Sequence, residues 1–199
     1  IISFLLFIIL YNFFFEKKLL DYFFITLCLF ILGFLDDIKV EISPNIRLLL
    51  MVIVILVSIN IFSLDIEKTG LNFLNNWLEN PIFKYFFILL CFLFIINGAN
   101  LIDGFNGLLA WQVIIINLIL IYVNVVYGQK DFATIITAQT IIFFIFLLFN
   151  FPMAKMFLGD GGSYAIGSLI ALNVIKTSIL NPAIHPFFFY VILFYIFYE

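Results

Sequence analysis

The chain has 199 residues, of which 66% are hydrophobic and 11% charged, with 12 acids, 9 bases and a net charge of -3. That composition lies far from the soluble range, where about half the residues are apolar and about a quarter charged, so the chain reads as an integral membrane protein. The bases form no patch or stripe suited to a phosphate backbone, which sets nucleic acid aside as a partner. Taken in chain order, apolar runs long enough for membrane helices are expected near 1–15, 19–35, 46–64, 82–97, 108–127, 132–149, 164–178 and 187–198. The expected fold is all-α and polytopic, with about eight transmembrane helices in a single transmembrane catalytic domain, 1–199, truncated at both ends. Only the connection at 65–81, "DIEKTGLNFLNNWLENP", is long, and its apolar residues suit a helix lying on the membrane surface.

Three polar segments interrupt these runs. "GFLDDIKVEISPNIR" (33–47) follows the second span, "NGANLIDGFNG" (97–107) the fourth, and "NFPMAKMFLGDGGS" (150–163) the sixth. Two crossings separate each from the next, so all three belong on one membrane face. This parity gathers Asp36, Asp37, Asp103 and Asp160 there, with Asn97, Asn100, Asn106, Asn150 and Lys155.

Each acid alone has an ordinary reading. Asp36 and Asp37 suit a solvated loop start, with Lys39 or Arg47 as counterion; Asp103 suits an Asn/Asp-Gly turn; Asp160 suits a helix cap near Ser163. Carboxylates beside a bilayer are nonetheless costly to desolvate unless paired or bound to a cation, and four on one face point to a shared use. Such a set suits Mg²⁺, a hard ion that takes oxygen ligands and bridges substrate phosphates. Glycines 159, 161 and 162 would let backbone N–H groups approach a phosphate, and a helix starting near Ser163 would offer its positive end. Phosphoryl transfer assisted by Mg²⁺ is the chemistry this implies.

Those three segments, in this order and with these separations, resemble the motifs of the polyprenyl-phosphate N-acetylhexosamine-1-phosphate transferases. The resemblance implies transfer of a sugar 1-phosphate from a UDP-N-acetylhexosamine to a polyprenyl phosphate in membrane lipid, releasing UMP and starting cell-envelope glycans such as O-antigen. It implies catalytic roles for Asp36, Asp37, Asp103 and Asp160, with Mg²⁺ or Mn²⁺ held by Asp160 and Asp37. Asn100, Gly104, Asn106, Asn150, Lys155 and Phe157 are implied on the UDP-sugar side, although Asn106 stands where many relatives have Asp. It also implies a bacterial inner (cytoplasmic) membrane location with the site facing the cytosol, and allows a homodimer.

The short connection from Asp37 to "SPNIRLLL" favours the branch using simple donors such as UDP-N-acetylglucosamine over the phospho-N-acetylmuramoyl-pentapeptide transferases. Lysine and arginine run against the expected orientation, with three on the motif face (Lys39, Arg47, Lys155) and six opposite (Lys17, Lys18, Lys68, Lys84, Lys130, Lys176). A secondary transporter is the competing class, but its polar breaks belong near the bilayer midplane rather than at span ends. His185 reads as a solvated loop residue, and Asn60, Asn117, Asn124 and Gln139 as interhelical hydrogen-bonding groups.

Overall fold

The computed structural model describes Leu6, Ile9, residues 19–40 and residues 42–198. The expected span at 1–15 therefore lies almost wholly outside the described residues. The described chain forms helices α1 (Leu20–Asp37), α2 (Pro44–Phe62), α3 (Asn72–Leu78), α4 (Pro81–Ile102), α5 (Leu108–Val126), α6 (Lys130–Asn150), α7 (Gly159–Leu180) and α8 (Phe187–Tyr198). Five of these, α2, α4, α5, α6 and α7, are long and apolar enough to cross a membrane. α1 has comparable length but carries Asp21, Asp36 and Asp37 at its ends, and α8 has 12 residues. The protein is thus an all-helical, polytopic membrane protein, and the short α3 occupies the connection expected to hold a surface helix.

Local chemistry sets the starts of two helices. Ser43 accepts the Ile46 N–H at 3.4 Å, and Pro44 supplies the first helical residue of α2. Asn80 accepts the Ile82 N–H at 2.9 Å and Pro81 opens α4 in the same way. Two boundaries differ from expectation. α4 continues to Ile102, which puts Asn97 and Asn100 on the helix rather than in a loop. α7 begins at Gly159, five residues before the expected start at 164, so Asp160 sits in its first turn.

α7 is the axis of the bundle. It packs against α1, α4 and α5, and its residues from Gly161 to Ile175 are buried without interruption. Around it one apolar core links α1, α2 and α4 to α8. Small residues set the closest approaches. A Cβ on Gly33 of α1 would lie 2.5 Å from the Asp160 carbonyl oxygen, and one on Gly161 would lie 2.9 Å from the Phe34 nitrogen. Farther along, a Cβ on Gly167 would lie 2.6 Å from the Ile96 Cα of α4. In lipid, such backbone-to-backbone contacts are a main source of helix association, because burying apolar side chains gains little over lipid tails.

Gly33→Ala should therefore force α1 away from α7. The expected cost is about 1–3 kcal/mol, seen as a lower midpoint for reversible unfolding in mixed detergent micelles. Ala at exposed Gly104, where the nearest atom is the Leu101 carbonyl oxygen at 3.5 Å, should leave that midpoint near the wild-type value.

Candidate active site

The C-terminus of α1, the first turn of α2, the end of α4 and the first turn of α7 meet at one end of the bundle. α7 has no side-chain cap of its own, because the residue at its N-cap position is the apolar Leu158. The cap comes from another helix. Asp37 Oδ1 accepts the Asp160 N–H at 2.9 Å and Asp37 Oδ2 accepts the Gly161 N–H at 3.1 Å. A carboxylate on two orphan amides also meets the positive end of the helix dipole. Gly159 has φ +65°, and a Cβ on it would lie 2.6 Å from Asp37 Oδ2, so both the backbone conformation and the space require glycine.

Of the glycine amides expected to face a phosphate, that of Gly161 thus faces Asp37, and that of Gly162 donates to the Leu158 carbonyl oxygen at 3.2 Å. That arrangement sets Asp160 beside Asp36, and Arg47 answers both charges. Its Nη1 pairs with Asp36 Oδ2 and lies 3.3 Å from Asp160 Oδ2, while the guanidinium carbon sits 5.7 Å from the centre of the Tyr164 ring. Of the two cations that sequence offered as counterions, Arg47 fills the place, and Lys39 is exposed with φ +60°. Arg47 was legible only as a base near the aspartate pair. Its placement in the first turn of α2, set by the Ser43 cap, brings it back over α1.

On the α4 side, Ser163 donates to Asn100 Oδ1 at 2.7 Å and to the Asp160 carbonyl oxygen at 3.1 Å. Ser163 itself was read only as marking a helix start; its spacing one turn after Asp160 is the signal that it shares the site face. Asp103 lies one residue past α4. Burial, reinforced by the charge on Asp160, pushes its carboxyl up to about 6. Asn150, also buried, donates to the Met156 carbonyl oxygen at 2.6 Å and closes the turn that leads into α7. The third loop is tied in too, since a Cβ on Gly107 would lie 2.8 Å from the Phe151 Cβ.

The structure therefore brings Asp36, Asp37, Asp160, Arg47, Ser163 and Asn100 into direct contact, with Asp103 close enough to feel Asp160. Gly104, Asn106, Lys155 and Phe157 lie exposed on the flanking loops, Phe157 at 73%. Among the described residues no three His, Cys, Asp or Glu side chains close around a common point as a preformed metal cage. His185 is exposed and accepts the Phe187 N–H, as expected of a loop residue. Asn60 departs from its expected role: it is exposed beside a polar cavity between α2 and α4.

With this geometry in view, the comparisons become specific. The family model described as "Glycosyl transferase family 4" matches residues 19–178, which include the four helix ends of the site. The chain belongs to glycosyl transferase family 4. It is 30% identical over 150 residues to a phospho-N-acetylmuramoyl-pentapeptide-transferase of Streptococcus agalactiae, a match covering 71% of this chain and 44% of that protein. A protein of the same name from Bacillus velezensis is 31% identical over 167 residues, covering 78% of this chain and 51% of the relative. One from Leuconostoc mesenteroides is 37% identical over 99 residues, 48% and 30% of the respective chains. The chain thus spans about half the length of these relatives, or less.

Two outcomes test the electrostatics. Asp37→Ala should destabilise the fold by about 1–2 kcal/mol through loss of the α7 cap, measured by unfolding in mixed micelles. For Asp103, an acid whose folded value exceeds its unfolded one disfavours folding when ionised. In the presence of chelator, the contribution of Asp103 to stability should be most favourable below pH 4 and fall as pH rises through about 6. Asp103→Asn should flatten that slope.

Proposed function

We propose that the full-length protein transfers N-acetylhexosamine 1-phosphate from a UDP-sugar to a polyprenyl phosphate at the bacterial inner membrane, with the site open to the cytosol, where UDP-sugars are made. The product would start a cell-envelope polysaccharide. The observation that carries this reading is the meeting of Asp36 and Asp160 on one cationic group, with Asp37 and Ser163 fixing the surrounding helix ends.

The residues fit a divalent cation. Asp36 and Asp160 direct carboxylate oxygens at the same positive centre, and hard oxygen donors are what Mg²⁺ and Mn²⁺ take. Asp160 with the Asp36–Asp37 pair would hold the ion, though Asp37 already has each oxygen on an α7 amide. When bound, the metal supplies charge neutralisation for the diphosphate and for the phosphate that departs.

The chain's own groups do the rest. Ser163 takes up the Asn100 carbonyl oxygen, which leaves the Asn100 amide nitrogen as the end able to donate to a substrate. Arg47, freed from one carboxylate, would offer a forked donor to a phosphate. An oxygen of the lipid phosphate attacks the β-phosphorus, the bond from that phosphorus to the bridging oxygen breaks, and UMP leaves with the electron pair. Because Asp37 holds the α7 terminus in place, acceptor and donor would meet in a fixed orientation.

For the donor, the connection from Ile38 to Ile42 leaves little chain beside the site, which supports a simple UDP-N-acetylhexosamine. A second reading, a pentapeptide-bearing UDP-N-acetylmuramic acid, is favoured by the name that the matched relatives carry.

Purified full-length protein with radiolabelled UDP-N-acetylglucosamine, Mg²⁺ and undecaprenyl phosphate should give a labelled lipid and free UMP. Asp160→Asn should lower turnover by about 100-fold or more with the fold intact, and excess chelator should abolish it. Release of UDP would mean ordinary glycosyl transfer, and movement of intact nucleotide sugar into sealed vesicles would mean transport. Labelling only from UDP-N-acetylmuramoyl-pentapeptide would select the second donor.

A further inference from the structure

At the opposite end of the same helix pair lies a charge pair, its acid buried and its base partly so, that the reaction does not use. Asp21, 7% exposed near the start of α1, pairs with Lys176 near the end of α7. The Lys176 ammonium also lies 4.6 Å from the centre of the Tyr22 ring. Tyr22 donates to Asn173 Oδ1 at 2.7 Å, and Asn173 in turn donates to Gln139 of α6 at 2.7 Å and to Asn117 of α5 at 3.2 Å.

A buried ion pair is a poor source of net stability, because desolvation consumes most of the Coulombic gain, and apolar residues of similar size often serve as well. What it supplies that apolar side chains do not is direction. Asp21 and Asp37 lie sixteen residues apart on α1, and Asp160 and Lys176 lie sixteen apart on α7. Both spacings correspond to about 24 Å of helix. Asp21 meets Lys176 at one end of the antiparallel pair, and Asp37 meets the Asp160 and Gly161 amides at the other. Near the second end the helices touch through Gly33 and Gly161, a contact that permits close approach but offers no side chain to resist sliding. A slip of one residue moves the helices by about 1.5 Å, enough to pull Asp37 off both amides.

We infer that the Asp21–Lys176 pair, braced by Tyr22 and Asn173, fixes the axial register of α1 against α7, and that Asp21 and Lys176 are positioning residues for the aspartate site at the far end. They act through helix register and touch none of the reacting groups. The inference goes beyond the proposed reaction and does not depend on which sugar is transferred.

The test reads the far end directly. The amides of Asp160 and Gly161 have Asp37 as their acceptor, so their hydrogen exchange reports the register. Exchange should be followed by mass spectrometry on full-length protein in lipid nanodiscs. Lys176→Met leaves a buried carboxylate unpaired and should lower the melting temperature. The neutral double variant Asp21→Asn/Lys176→Met removes that orphan charge and should recover most of the melting temperature, yet exchange at Asp160 and Gly161 should remain about tenfold faster than wild type. Lys176→Arg, which keeps the charge, should retain slow exchange. Wild-type protection of those two amides in the neutral double variant would overturn the inference, since the pair would then be structural only, and so would fast exchange in Lys176→Arg. Failure of the wild-type protein to transfer any sugar phosphate would sink the reaction proposed above while leaving the exchange comparison to decide the register.

Discussion

Helices α1 and α7 touch backbone to backbone where Gly33 meets Asp160 and Gly161, and at that contact one helix caps the other. The first turn of any helix leaves amides without partners, and near a bilayer there is little water to serve them. α7 carries no capping side chain at its own start, so its terminus is satisfied only when α1 lies against it in one register. The same carboxylate that completes α7 is thereby held at a fixed place beside Asp36. Fold and site share a single interaction, and neither Asp37 nor the α7 terminus is satisfied without the other.

From that contact the remaining site geometry follows by charge and reach. Asp160, carried on the first turn of α7, comes within range of Asp36, and two carboxylates sharing so small a space need a cation between them. Arg47 supplies it from α2, supported by the face of Tyr164. Asp103, just past α4, adds a fourth carboxylate against the single Arg47 guanidinium, its carboxyl pushed up by burial first and by the charge on Asp160 second. A diphosphate substrate would worsen that imbalance. Under the proposed reaction, this is the physical reason to expect a divalent cation to enter together with the donor.

Apolar run length made the helices legible: all seven expected spans after the first correspond to observed helices, five of them within two residues at both ends. The parity count was enough to place Asp36, Asp37, Asn100, Asp103 and Asp160 at one end of the bundle. The start of α7 was misplaced because "GDGGS" reads as a flexible loop when each residue is judged by local propensity. Its helical state depends on a cap from a residue more than a hundred positions earlier, which no local pattern announces. The end of α4 was missed for a related reason: Asn97 and Asn100 look like loop formers. On the helix, Asn97 donates back to the Leu93 carbonyl and Asn100 finds Ser163 across the interface. Three of the four amides read as interhelical hydrogen-bonding groups, Asn117, Asn124 and Gln139, do bond across helices, whereas Asn60 is exposed.

The reversed distribution of basic residues also changes meaning once their places are known. The rule that orients membrane proteins counts lysine and arginine in short loops and at helix flanks, not cations paired within a bundle. Lys176 lies within α7 and pairs with Asp21, so it belongs to a helix rather than to a loop. Arg47 is likewise taken up by Asp36 and Asp160. Among the described residues this leaves Lys39 and Lys155 on the site face, against Lys68, Lys84 and Lys130 opposite, with Lys84 paired to Asp65. By sequence Lys17 and Lys18 add to the opposite face, so a count of two against five still runs against the expected orientation. On the proposed reaction, the side on which the aspartates face follows from the donor: a polar nucleotide sugar cannot cross the bilayer to reach a site on the other side.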